Sequence, residues 1–481
     1  MIKLLISLFI FSISAVAQSR ANYLPIKSDP LFELDIERLA TVAKMPYLIK
    51  PYHIDSIKSY LEIAESSYPE LASRIKQQLA KYEKKANLTD VNFEISFSND
   101  QITDKTLYNA RGQTTASNSK FEIAGYWNLS ESINLNLGGF IYDGSQSWIP
   151  NNTYLSYSTN YFQLDVGYKE LWLSPFQESA MVLSTQAEPI GRVVISNPIP
   201  ITDWKIKYHL SYGKLSKMQG IEYEGQLYEG RPGFLTMHLS GQPLDWWTLG
   251  ASRTLQFGGG PRKINGGDVW KGIIDPVSGD NCGGDSTLQN CSDELGNQQA
   301  SLVNKFDFNW MEMPVSFYFE VAGEDTNDYK NYKLGNKTYN FGLFMPYLSD
   351  ISSLLVEYQH IENGWYVHGL YQEGYRNKLH SLGHWWGDEK LLNAGIGAYV
   401  LTIRYNREIN SNLHFDARFA TMENDNLSEE GVYNKSIYNQ GYELTLGLNQ
   451  VDGDQEIRYQ LYTGKDMLGE DFTRLSVEIS F

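Results

Sequence analysis

The chain has 481 residues, is 14% aromatic with 33 Tyr and 11 Trp, and carries a formal net charge of −17. That charge argues against nucleic-acid binding, which needs a basic footprint. Mean hydropathy is −0.39, and past the N-terminal segment no apolar run of about 18 residues occurs, so no transmembrane helix is expected.

The first residues, MIKLLISLFIFSISAVAQ, combine a positive start at Lys3, a short apolar run from Leu4 to Ile13, and Ala15-Val16-Ala17. These are the parts of a secretory signal peptide in order, which predicts cleavage after Ala17 and residues 1–17 as the leader. Residues 18–88 then read as a helical unit on the periplasmic side. Asp29-Pro30 places a capping side chain before a proline at the first helical position. Phe32, Ile36, Leu39 and Ala43 follow helical spacing, Ile57, Leu61 and Ala64 repeat it, and Pro69 opens a third helix carrying Leu71, Ile75, Leu79 and Tyr82. The apolar faces need burial against each other or against something larger. Residues 85–90 read as a hinge into residues 89–481.

From about residue 90 the hydrophobic period changes from 3.6 to 2. Phe121, Ile123 and Trp127 alternate with Glu122, Ala124 and Tyr126; Ile206, Tyr208, Leu210 and Tyr212 alternate with Lys205, Lys207, His209 and Ser211. The last residues, RLSVEISF, put Leu475, Val477, Ile479 and Phe481 on one face. A soluble sandwich could show the same alternation. The signal peptide, the aromatic load and the terminal Phe481 favour a membrane barrel, with the apolar face on lipid and the polar face lining a lumen. About 390 residues, at roughly 20 per strand and loop, give about 16–18 antiparallel strands. The fold expected is therefore an all-β transmembrane β-barrel with a small N-terminal periplasmic α-helical unit. The segments 257–300 and 421–440, rich in Gly, Asn and Asp, are expected as extracellular loops. Cys282 and Cys291 flank eight residues, and a loop disulfide is the default reading in an oxidising compartment.

Four ordered segments together resemble the Wzi-type capsule assembly proteins of the bacterial outer membrane. In LWLSPFQESAMVLSTQAEPIG, residues 171–191, Trp172, Pro175, Leu183, Ser184, Ala187 and Pro189 fall into the family pattern. LGASRTLQFGGGPR (249–262) is similar to its Ser-Arg-Thr strand with a Gly-rich turn, and VAGEDTNDY (321–329) to its Gly-Glu-Asp strand end. Tyr366, His368, Tyr371, Gly374, Tyr375, Gly383 and His384 keep the family's order and spacing. The resemblance implies an eighteen-strand barrel that holds capsular or extracellular polysaccharide at the surface of a Gram-negative cell as a lectin, without enzymatic activity or cofactor. Expected partners are that polysaccharide, outer-membrane lipids and the barrel assembly machinery, with the chain a monomer. A porin-like channel for oligosaccharides or small solutes is the alternative.

GLYQEGYRNKLHSLGHWWGDE, residues 369–389, looks like chemistry. On a strand, however, the Cα atoms of His380 and His384 would lie about 13 Å apart, a poor start for one shared metal. No HExxH or G-x-S-x-G pattern is present, so neither a metal nor a catalytic set is assigned. Sugar rings stack on aromatic faces and present hydroxyls to acids, amides and arginine. Two clusters offer this: Trp270 with Asp268 and Lys271, and Trp385 and Trp386 with Asp388. The competing reading of both is an aromatic girdle at the membrane rim. Arg253, Glu324, Asp325 and His384 are expected in a luminal charge network. Of the adjacent acids Glu324 and Asp325, one should face the lumen and the other sit at the strand end or the membrane interface.

Overall fold

In a computed structural model the chain is described over residues 22–481, except 27–28, 100–103, 146, 280–293, 328–329, 425–437 and 454. The expected signal peptide and the Cys282–Cys291 pair lie outside the described residues.

Three helices come first: α1 (Pro30–Val42), α2 (Ile54–Glu65) and α3 (Pro69–Leu79). The Asp29 carboxylate accepts hydrogen bonds from the backbone N–H groups of Leu31 and Phe32, which caps α1 ahead of Pro30. The apolar stripes meet in one cluster that includes Ile36, Leu39, Ile57, Leu61, Leu71, Ile75 and Leu79.

Eighteen antiparallel strands then form the wall: β1 (Ala86–Ser98), β2 (Ser119–Asn128), β3 (Ile133–Tyr142), β4 (Thr153–Ser158), β5 (Gln163–Tyr168), β6 (Arg192–Ser196), β7 (Lys207–Lys214), β8 (Gly233–Leu244), β9 (Trp247–Phe257), β10 (Gly296–Trp310), β11 (Met313–Glu324), β12 (Thr338–Ser349), β13 (Ser352–Ile361), β14 (Ala398–Asn410), β15 (Leu413–Asn424), β16 (Gly441–Asp452), β17 (Gln455–Lys465) and β18 (Asp471–Ser480). A two-residue pairing, Ile149–Pro150, adds to the edge of β3 beside β4. β18 pairs with β1 and closes the sheet. At that seam Phe93 faces Ile479, Ile95 faces Val477 and Phe97 faces Leu475. Closure leaves no strand edge in the apolar layer, where an unpaired backbone group costs several kcal/mol.

β1 begins at Ala86, so residues 85–90 are not a hinge and residues 86–88 belong to the barrel. Tyr82, beside the last helix, stacks on the inward-facing Tyr126 of β2, which ties the helical unit directly to the wall.

The faces follow the period-2 reading. Phe121 and Trp127 are exposed on the outside, while Glu122 and Tyr126 are buried inside. Turns at the end where the helices attach are short, as at 245–246, 311–312 and 411–412. The opposite connections run long, as at 169–191, 258–295 and 362–397. Short periplasmic turns and long extracellular loops are the pattern of outer-membrane barrels.

Candidate functional site

Two of the long loops do not stay outside. The first plug loop, 169–191, descends through the lumen until Trp172 meets the helical unit. The backbones of Trp172 and Lys50 bond reciprocally at 3.0 Å each way, and the buried indole of Trp172 donates to the Phe176 carbonyl at 2.9 Å. Phe176 packs edge-on against Tyr318 of β11 at 4.8 Å, in a cluster with Leu34 of α1, Phe344 and Leu355. The periplasmic helices and an extracellular loop therefore share one core inside the barrel. Lys50 is itself paired with Glu37 at 2.5 Å and Glu33 at 3.0 Å. Burial opposes its charge, but these two carboxylates win and push the ammonium above the usual lysine range.

Ion pairs fix the plug to the wall. Glu178 accepts from Arg418 of β15 at 2.6 Å and faces Arg404 of β14 at 3.2 Å. Arg418 also holds Glu443 of β16 at 2.7 Å. Lys105, from the loop after β1, joins Glu443 to Glu389 of the second plug loop. The backbone N–H groups of Gln177 and Glu178 donate to Glu357 of β13 at 2.7 and 3.1 Å.

The second plug loop, 362–397, lies against the first. The Tyr366 hydroxyl donates to the Met181 carbonyl at 2.6 Å and accepts from the His384 backbone N–H at 2.8 Å. Ser184 N–H donates to the Leu382 carbonyl at 2.8 Å. Gly383 sits where the loops touch: a Cβ there would lie 2.3 Å from the Met181 carbonyl oxygen and 2.5 Å from the Tyr366 hydroxyl. Gly383→Ala is therefore expected to destabilise the barrel by about 1–3 kcal/mol through overpacking, read as a lower urea midpoint in detergent.

Within this loop, residues 380–381 form a two-residue strand and Trp385–Asp388 a 3-10 turn capped by His384. The long-strand context assumed for His380 and His384 is thus replaced by a tight fold, and their partners diverge. His384 Nδ1 accepts from the Trp386 N–H at 3.0 Å, so the ring proton sits on Nε2 and donates to Gln359 Oε1 of β13 at 2.7 Å. His380 Nδ1 faces Asp388 at 3.3 Å. Asp388 also accepts from Arg376 at 2.6 Å, the Ser381 N–H at 2.9 Å and Gln186 of the first plug loop at 2.8 Å. Its carboxylate lies below the usual range because the bonds and charges of His380 and Arg376 outweigh burial.

Burial, with Arg418 nearby, holds His384 neutral and lowers its pKa from 6.5 to about 3. The unfolded imidazole protonates near 6.5 and the folded one does not, so the stability contributed by His384 is present above 6.5 and is lost as pH falls toward about 3. The expected loss approaches about 1.4 kcal/mol per pH unit. Urea unfolding at pH 7.5 and pH 5 should show a stability drop in the native chain that is smaller in His384→Asn; equal drops would contradict the assignment.

Trp385 and Trp386 are 1% and 0% exposed, which places them neither at the membrane rim nor where a surface sugar could stack. The Trp386 indole points at Met467 and lies under Lys390, while Trp385 lies beside Arg418. Glu324 faces the lumen from the end of β11 and accepts from Gln299 at 2.6 Å and the Tyr366 N–H at 3.0 Å. Asp325 stands one residue past that strand with a φ of 57°, its N–H donating to the Gln298 carbonyl at 2.9 Å. Arg253 is not luminal. It shares the outward face of β9 with the exposed Leu249, while Ser252 and Thr254 face inward.

Arg253 instead reaches a helix outside the wall. α4 (Gly266–Ile274) carries a capping box in which Asn265 and Asp268 bond each other's backbones, so the Asp268 carboxylate is committed locally. Trp270 is 62% exposed on this helix. Sequence reasoning missed the Glu178–Arg418–Glu443–Lys105–Glu389 network. Its signal was charge at inward strand positions facing an apolar loop that has to be buried somewhere.

The family model "Capsule assembly protein Wzi" matches residues 66–463. The chain belongs to the Wzi capsule assembly family. Its closed barrel is that of an outer-membrane protein. The solved structure of Wzi from Escherichia coli, described as an outer-membrane protein involved in group 1 capsule assembly and a carbohydrate-binding β-barrel, matches with a TM-score of 0.69 at 17% identity. That match covers 96% of this chain and 99% of that one. Two Pseudomonas aeruginosa structures lie further off. OpdQ has a TM-score of 0.49 at 9% identity, covering 82% of this chain and 97% of its own. OccK3 has 0.47 at 11%, covering 84% and 98%. No curated protein matches by sequence.

Proposed function

We propose that this Wzi-family chain holds capsular or extracellular polysaccharide at the cell surface, as a binding protein and not as an export pore or an enzyme. The observation that carries this reading is the plug: two outer loops and the periplasmic helical unit meet in one core inside the lumen, fixed to the wall by ion pairs. A barrel filled in this way offers its outer loops as a fixed platform instead of a passage. Wzi of Escherichia coli, described as carbohydrate-binding, supports polysaccharide as the ligand class. The contact surface proposed is the set of described outer loops above the plug, since the buried Trp385, Trp386 and Asp388 serve to hold those loops in place.

Cells lacking the protein should retain less purified native polysaccharide than cells carrying it, and equal retention would reject the reading. The porin-like alternative separates by planar-bilayer recording. The folded chain should show no large steady current, whereas an open-pore current would favour transport.

A further inference from the structure

α4 lies on the outside of the barrel and has a wide apolar arc that the wall uses only in part. At about 100° per residue, Val269 and Ile273 form one stripe, Trp270 and Ile274 the next, Lys271 borders that second stripe, and Asp268 lies on the far side. The first stripe packs on the outward Leu235 of β8, Leu255 of β9 and Leu295. Gly272 permits the close approach, since a Cβ there would lie 2.4 Å from the Leu295 side chain. The helix end is fastened as well. Arg253 donates to the Ile273 and Gly272 carbonyls at 2.8 and 2.7 Å, which shields a guanidinium that would otherwise face lipid and meets the negative end of the helix. Beyond the helix, Asn331 bonds Asp275 and the Val277 N–H at 2.9 Å each.

Among the described residues nothing packs over the second stripe. Trp270 and Ile274 are 62% and 61% exposed and stand one helical turn apart. Lower on the same strands and on β10, the outward Leu239, Leu249 and Leu302 are exposed in the lipid-facing belt. The open stripe continues that belt at its extracellular edge, flanked by the exposed Lys263 and Lys271 in a chain of net charge −17. A tryptophan and an isoleucine beside lysines match an interfacial helix, whose apolar edge enters the acyl boundary while its cations meet anionic headgroups. A sugar platform fits less well. Ile274 offers a hydroxyl nothing, and Asp268 is turned about 200° from Trp270 and is spent on the cap.

We infer that α4 is a membrane-interfacial helix that seats Trp270 and Ile274 in the outer leaflet, with Lys263 and Lys271 toward the lipid phosphates. This stands independently of the polysaccharide reading. The test uses the full folded chain and its Trp270→Phe variant in vesicles of phosphatidylcholine containing lipid A, with and without acyl chains brominated near the headgroup. The native-minus-variant emission isolates Trp270, and heat-modifiable gel mobility confirms that both forms are folded. Bromination should remove most of the difference signal, and aqueous iodide should remove little. Gly272→Leu, which lifts the helix from the wall, should weaken the bromine effect while the barrel remains folded. A difference signal untouched by bromine and lost to iodide, or one shielded by purified capsular polysaccharide, would overturn the inference, the latter returning Trp270 to a sugar site.

Discussion

Arg418→Ala should destabilise the folded barrel by about 3–5 kcal/mol, the cost of removing one partner from a buried ion pair. The Arg418 side chain is 2% exposed and serves Glu178 at 2.6 Å and Glu443 at 2.7 Å, with its guanidinium 3.9 Å from the Tyr108 ring centre. Without it, Glu178 keeps Arg404 at 3.2 Å and Glu443 keeps Lys105, but each carboxylate loses its shared planar donor. Lysine should not restore the site, because one ammonium cannot present two directed bonds to two carboxylates. A double variant, Arg418→Met with Glu443→Gln, should cost less than Arg418→Ala, since Glu178 then keeps Arg404 and Lys105 keeps Glu389. Urea unfolding in micelles reads all three. A change below about 0.5 kcal/mol for Arg418→Ala, the size of an ordinary surface substitution, would mean that the network does not hold the plug.

The second large effect belongs to the paired indoles. Trp385→Ala and Trp386→Ala are each expected to cost about 3–5 kcal/mol, as removal of a fully buried Trp leaves a cavity that relaxes only in part. The two are adjacent in one cluster, so the double variant should fall short of the sum. It should also release the second plug loop from Met467 and the β13 wall, and bilayer recordings should then show current that the native chain lacks. Lost polysaccharide retention with unchanged stability and no current would instead give these residues a direct sugar contact.

Much of the architecture was legible because strand alternation is a local property. The inside and outside of β2, β3 and β18, the patterned last strand, and the Asp29-Pro30 helix start follow from period and capping chemistry alone. Eighteen strands came from the family resemblance together with chain length. The placement of Trp385 and Trp386 was not legible, because a loop has no period. The same residues suit a rim, a sugar site or a core, and only the tertiary position of the loop decides. Arg253 was a different kind of miss. It shares parity with Leu249 and Leu255, which places it outside, but charge suggested the lumen. The helix that satisfies it comes from a connection that parity says nothing about. β1 starts at Ala86, two residues ahead of residue 88, because the weak strand signal of Ala86-Asn87-Leu88 is completed by pairing with Trp127, Tyr126 and Gly125.

The function proposed is polysaccharide binding by a closed barrel. The most direct measurement is binding of purified native capsular polysaccharide to the full chain folded in nanodiscs, alongside an empty-nanodisc control. Saturable binding to the protein, retained when aqueous flow through the barrel is shown to be absent, is the predicted result. Polysaccharide signal no greater than that of empty nanodiscs would contradict it.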